Sequence, residues 1–155
     1  MSGADWGVLA LRLMTVGLFL PFSALDKLFN FRGAVTQCRS VFAPPALAAL
    51  VILGGLGIEV FASLAIITGF ADRLGAVVLA AYCGATAVLF KQFWRPGDFW
   101  SRADGQGRTL FWDFLKNFAL GGALLLLAVG PDGSHAADLL TDPLSSTHPY
   151  GSVAK

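Results

Sequence analysis

The chain is poor in charged residues. Asp, Glu, Lys and Arg make up 14% of its 155 residues, while 55% are hydrophobic, whereas a soluble domain is roughly a quarter charged. The mean hydropathy is +0.67. This composition argues against an ordinary soluble protein and indicates a chain that lipid solvates. The formal net charge of +1, without a basic stripe, offers no electrostatic footprint for nucleic acid.

The scarcity of cysteine and histidine limits the redox and metal chemistry of the chain. Cys38 and Cys83 form no Cys-x-x-Cys pair, which argues against a thiol–disulfide relay and favours two small apolar core residues. His135 and His148 both follow the last apolar run, so no ligand set for haem, di-iron or copper is visible within a membrane bundle. No phosphate loop, nucleophile motif or metal motif appears. We predict no metal site and no covalently bound cofactor.

Long apolar runs are what the chain does have. They cover residues 6–25, 46–69, 74–93 and 110–129, and each has about the twenty residues that cross a ~30 Å hydrocarbon core. The first run contains Arg12 and has no Lys or Arg before it, so we interpret it as a retained helix and not as a signal peptide. The sequence predicts an all-α, four-helix transmembrane bundle over residues 1–130 and a flexible polar tail over 131–155.

The basic residues between the runs predict an orientation. Two connections hold seven of them, namely Lys27, Arg32, Arg39, Lys91, Arg95, Arg102 and Arg108. The opposite side has only Arg73 and Lys155. Because positively charged loops stay in the cytoplasm, we expect a multi-pass protein of the bacterial inner membrane with both termini in the periplasm or exterior.

The connection between the first two runs carries a helical pattern. Its apolar residues at helical spacing are Phe31, Ala34, Val35, Cys38, Val41 and Phe42. This spacing predicts a short amphipathic helix in the cytoplasmic interface, ended by Pro44-Pro45; a plain linker is the alternative. Upstream, Pro21 should kink the end of the first helix.

Polar residues inside the apolar runs are the candidate site. They are Arg12, Glu59, Asp113, Lys116 and Asn117, with Lys27 and Lys91 at the edges as secondary candidates. At a rise of ~1.5 Å per residue, Glu59 lies near the midplane, with Arg12 and Lys116 about 6 Å away in depth on either side. We expect Arg12 to pair with Glu59 and Asp113 with Lys116, three residues along the same helix. Two interpretations stay open: these charges fix helix register, or they also bind a polar head group or move a proton.

Several short motifs resemble one family. They are Arg12, Ser23-Ala24-Leu25-Asp26-Lys27-Leu28, Glu59, Thr68-Gly69, Phe93-Trp94 and Phe114-Leu115-Lys116-Asn117-Phe118-Ala119-Leu120-Gly121-Gly122. The chain thereby resembles the DoxX-like family of small four-helix membrane proteins, which includes the DoxD-type subunits of thiosulfate:quinone oxidoreductase. The resemblance covers most of residues 7–130. Many members have a histidine shortly before the Phe-Trp pair, where this chain has Lys91.

The resemblance and the polar face lead to two hypotheses. The first is a small membrane subunit of a respiratory or redox-stress oxidoreductase, which anchors a catalytic partner subunit or contributes to a quinone site. The second is a non-enzymatic carrier, chaperone or permease-like bundle that binds a lipid or small amphiphile. Besides the lipid bilayer, a second copy is an expected partner, since Ala76, Ala80 and Gly84 form a small-residue face suited to a homodimer.

Overall fold

The computed structural model describes residues 2–100, 105–130 and 132–150, and this part of the chain is all-helical. Arg102 and Lys155, which the orientation argument used, lie outside the described residues. In chain order the elements are α1 (Gly3–Val16), a π-helix (Leu18–Ser23), α2 (Ala24–Phe29), α3 (Phe31–Cys38), α4 (Pro45–Thr68), α5 (Asp72–Phe90), α6 (Gln106–Val129) and α7 (Asp138–Thr141).

Four membrane spans follow from these elements. Helices α4, α5 and α6 are each long and apolar enough to cross a membrane, and α1 with the π-helix and α2 forms a fourth, bent span. The bend of 40° lies between Gly3–Val16 and Leu18–Phe29, at Gly17, and Pro21 follows four residues later within the π segment, so that it would face the Gly17 carbonyl in an α-helix. Proline lacks the N–H that an α-helix needs there, so the predicted kink is confirmed and has a local cause.

The predicted amphipathic helix is also confirmed. It is α3, which follows the first span and turns Cys38 into the protein while most of its polar residues remain exposed. The chain then reaches Pro44, and Pro45 opens α4 at the first helical turn, where a missing N–H costs nothing. We call the side of the bundle that carries α3 and residues 91–100 the basic face, and the opposite side, which carries Ser2 and Gly69, the terminal face.

Small residues let the spans approach closely. A Cβ on Gly75 of α5 would lie 3.0 Å from the Ala62 carbonyl of α4, and one on Gly121 of α6 would lie 3.4 Å from the Ala80 carbonyl. Ala76 and Ala80 are buried within this core. The small-residue face that suggested a homodimer is therefore largely used inside the monomer, between neighbouring spans.

The C-terminal segment returns to the terminal face. Residues 144–150, which we expected to be part of a flexible tail, contact the turn between α4 and α5. The Tyr150 hydroxyl donates to the Ile67 carbonyl, and Pro149 lies so close to Gly69 that a Cβ there would be 2.8 Å from its ring. Gly69 has a φ of 80°, which glycine tolerates best. The last carbonyls of a helix lack intrahelical partners, and the returning segment supplies one.

Candidate functional site

Glu59 is the centre of a buried polar cluster in the middle of α4. Its side chain is 2% exposed, and its Oε1 atom lies 2.7 Å from Lys27 Nζ. The same oxygen accepts hydrogen bonds from Ser23 Oγ at 2.8 Å and from the Tyr82 hydroxyl at 3.0 Å. One cation and two hydroxyls therefore compensate a carboxylate that would be costly in hydrocarbon. These four residues, on four different elements, join the first span to α4 and α5.

Local sequence explains how these partners arrive. Lys27 follows Ser23 by one helical turn, and its Nζ atom lies 2.6 Å from Ser23 Oγ, so both reach the same oxygen after the bend of the first span. On α4, Gly55 lies one turn before Glu59 and leaves room for Tyr82, because a Cβ there would be 3.1 Å from the tyrosine oxygen. The proline and the glycine thus shape the site without contacting the carboxylate.

The second oxygen of the Glu59 carboxylate lacks a hydrogen-bond partner among the described residues. This atom, Oε2, is buried, and Ser63 Oγ, one turn further along α4, is likewise buried without a partner in the described part of the chain. Ser63 is fully buried. Most buried polar atoms in proteins have a partner, and those without one call for a water or a ligand. This part of the bundle therefore has unused hydrogen-bonding capacity.

A cavity opens from the basic face onto this cluster. Its volume is about 290 Å³, and both Lys27 and Tyr82 line it. The other lining residues are Asp26, Asn30, Gly33, Ala34, Gln37, Cys38, Ile52, Thr86 and Phe90. An apolar crevice of about 270 Å³ between α4 and α5 shares Lys27 and Tyr82 with it. The polar cavity and the apolar crevice thus meet at Lys27 and Tyr82, which are two of the three donors that contact Glu59.

The expected Arg12–Glu59 pair is wrong. Arg12 Nη2 lies 2.8 Å from Asp72 Oδ2 in a pair that is almost fully buried, and Arg12 Nη1 donates to the Ile66 carbonyl at the end of α4. Thr147 joins them: its backbone N–H donates to Asp72 Oδ1 at 2.9 Å and its hydroxyl contacts both charged side chains. Depth alone could not reveal this arrangement, since Asp72 counts as a loop charge in the sequence.

The remaining candidates form a third group near the basic face. Asp113 lies 3.6 Å from Lys116, which confirms that predicted pair, and 3.1 Å from Lys91. Asn117 donates to the Asp113 backbone carbonyl at 2.9 Å. The Lys116 side chain is 75% exposed, so this group faces the surroundings of the bundle. Among the described residues, no ion pair links it to Glu59 or Arg12.

Sequence reasoning missed four residues of the two buried clusters. They are Ser23, Asp72, Tyr82 and Thr147. Tyr82 had a visible signal, because it carries the only hydroxyphenyl group within the apolar runs. Asp72 and Thr147 had none, since Asp72 lies between two apolar runs and Thr147 meets Arg12 only after the chain returns from the fourth span.

Comparison with known proteins decides the family. The DoxX family model matches residues 7–92, which is more than half of the chain. The chain belongs to the DoxX family. The matched segment holds both buried clusters except Thr147.

Two Escherichia coli K12 proteins are similar to this DoxX protein. Inner membrane protein YphA is 34% identical over 132 residues, which cover 84% of this chain and 87% of that protein. Inner membrane protein YqjF is 29% identical over 136 residues, or 88% and 92% of the two chains. No solved structure matches. The bundle is thus a DoxX membrane protein whose E. coli relatives are inner membrane proteins.

Proposed function

We propose that this DoxX protein is a small membrane subunit of a respiratory or redox-stress oxidoreductase, and that its cavity holds a quinone head group. The observation that carries the proposal is the junction of the polar cavity with the apolar crevice at Lys27 and Tyr82. Quinones carry carbonyl oxygens on a ring joined to a long apolar tail. The two connected spaces match that division.

Lys27 has the hydrogen-bonding capacity for such a head group. A lysine ammonium has three N–H bonds, and in the described part of the chain two of them face Ser23 and Glu59. The third can donate to a carbonyl oxygen in the cavity. Beside it, Tyr82 presents a hydroxyl whose proton already points to Glu59. A quinone, when bound, would supply two-electron redox chemistry, and the protein's residues would fix its ring and exclude water.

Electrons must come from another subunit under this proposal. The apolar runs contain no histidine and no paired cysteines, so the chain offers no ligand set for a redox centre of its own. The bundle would anchor a catalytic partner at the membrane surface. With the positive-inside orientation, the cavity mouth at the basic face would open to the cytoplasm.

The binding proposal is tested by quinone titration of the purified protein in mild detergent. Tyr82→Phe removes one hydroxyl and keeps the ring, while Lys27→Met removes the free donor. We expect Lys27→Met to weaken binding of a short-chain quinone about tenfold or more, since a hydrogen bond from a charged group contributes ~1.5–3 kcal/mol. Lys116→Met is the matched control and should bind as the wild type does. Equal affinity in all variants would refute the quinone site.

Mass spectrometry of the gently purified protein separates the two hypotheses. A co-purified quinone or oxidoreductase subunit supports the first. A tightly bound phospholipid or other amphiphile, with neither of these, would instead support the carrier.

The orientation is tested by cysteine labelling in a background that carries Cys38→Ala and Cys83→Ala. A membrane-impermeant reagent should label Leu140→Cys in intact spheroplasts and Arg32→Cys only after permeabilisation, since both positions are exposed. The reverse pattern would overturn the proposed orientation.

A further inference from the structure

Polar groups form a row along the buried face of α4. They are the side chains of Glu59 and Ser63 and the backbone carbonyl of Ile66. These residues follow one another at spacings of four and three, and all three are buried. At ~1.5 Å per residue, Glu59 and Ser63 differ by about 6 Å in height, which is close to the span of two hydrogen bonds through one water. Glu59 Oε2 and Ser63 Oγ both have no partner among the described residues, and one water between them would satisfy both atoms.

The row is connected to the cavity at the basic face. Tyr82 and Lys27 line that cavity and both contact Glu59 Oε1. Glu59 is therefore one hydrogen bond away from groups that meet solvent or a ligand. A tyrosine hydroxyl can exchange protons by giving its own and accepting another.

The row ends at a closed cluster toward the terminal face. Ser63 lies one turn before Ile66, whose carbonyl accepts from Arg12. Arg12, Asp72 and Thr147 are held together by an ion pair and hydrogen bonds, and we call them the plug. A fixed guanidinium repels protons in a narrow pore. Asp72 is fully buried and Arg12 is 5% exposed, so the plug leaves little room for water.

We propose that the row is a proton pathway from the cavity to Ser63, which the plug closes toward the terminal face. Tyr82 passes its hydroxyl proton to Glu59 Oε1 and takes one from a cavity water. The protonated carboxyl of Glu59 then rotates so that the same oxygen faces Ser63, and it gives that proton to the water there. Glu59 is then a carboxylate again, and Tyr82 has regained its hydroxyl proton. This proposal does not depend on which ligand the cavity holds, since it requires only water there.

Thr147 is the part of the plug that can be loosened with least damage to the spans. It lies on the C-terminal segment, outside the four spans, and it supplies two donors to Asp72. Thr147→Ala removes the hydroxyl and one methyl group, which leaves room for a water beside Asp72. Water should then reach Asp72 from the terminal face and complete a path across the bundle.

The test is proton flux into liposomes that contain the full-length protein and an internal pH dye, with an imposed potassium gradient and valinomycin. Wild type should conduct no more than empty liposomes. Thr147→Ala and Arg12→Gln should each raise the flux about tenfold or more over that background, because the first leaves room for water and the second removes the fixed guanidinium. Adding Ser63→Ala or Glu59→Gln should return the flux to background. Thr68→Ala, at an exposed threonine on α4, is the matched control and should leave it unchanged.

Two results would overturn the pathway. The first is that the plug variants fold, as judged by circular dichroism and a monodisperse elution, but conduct no more protons than the wild type. The other is a flux that persists when Ser63 or Glu59 is replaced. If the plug variants do not fold, an experimental structure of the wild type decides instead: density for a water between Glu59 Oε2 and Ser63 Oγ supports the row, and a dry gap refutes it.

Discussion

Removing Lys27 should destabilise the bundle through Glu59. In Lys27→Met, the glutamate keeps its hydrogen bonds from Ser23 and Tyr82 but loses its counter-charge at 2.7 Å. Removing one member of a buried ion pair typically costs ~3–5 kcal/mol. Because the Lys27 side chain is 16% exposed, water can reach this site from the cavity, and we expect a loss near the lower limit, about 3 kcal/mol.

The assay is a double-mutant cycle on unfolding free energy, measured by titrating SDS into the protein in mild detergent. Lys27→Met and Glu59→Leu should each destabilise the protein, and the double variant should recover much of the loss because no lone charge remains. Arg12→Met and Asp72→Leu should show the same coupling, since that pair is almost fully buried.

The double-mutant cycle between Arg12 and Glu59 is the decisive measurement. The structure places these residues in separate clusters, so their two substitutions should add to within about 0.5 kcal/mol. Strong coupling between Arg12 and Glu59, with additive behaviour for Lys27 and Glu59, would refute the ion pairing described above.

Three further predictions follow from packing and burial. Gly55→Ala should push Tyr82 away from Glu59, since the new Cβ would lie 3.1 Å from the tyrosine oxygen. Adding Tyr82→Phe should then lower the unfolding free energy no further. Gly54→Ala, in open space, should leave the contribution of Tyr82 to the unfolding free energy intact. Gly75→Ala should lower the unfolding free energy by about 1–3 kcal/mol through overpacking, while Gly84→Ala, with nothing near its Cβ, should not lower it; equal effects would contradict the close α4–α5 contact. Burial raises the pKa of the Cys38 thiol, so a permeant maleimide should label it slowly near pH 7 and faster as the pH rises; labelling as fast as in SDS-unfolded protein would contradict its burial.

The spans, the kink and the interfacial helix could be predicted because each depends on neighbours in sequence. Twenty apolar residues must form a helix in hydrocarbon, where only internal hydrogen bonds satisfy the backbone. Pro21 interrupts a helix wherever the helix packs, and the pattern ending at Cys38 shows its apolar side within two turns. The Asp113–Lys116 pair is local for the same reason, being three residues apart on one helix.

The pairing of the buried charges was decided by tertiary structure. Depth in the membrane led us to expect that Arg12 pairs with Glu59, while Asp72 counts as a loop charge in the sequence. The bend of the first span instead brings Lys27 back to Glu59, and the return of the C-terminal segment supplies Thr147 to Arg12 and Asp72. Hydropathy determines which segments enter the membrane, since insertion depends on transfer from water to lipid. Which buried charges meet depends on helix rotation and on contacts between residues 75 positions apart, and those are set only when the bundle packs.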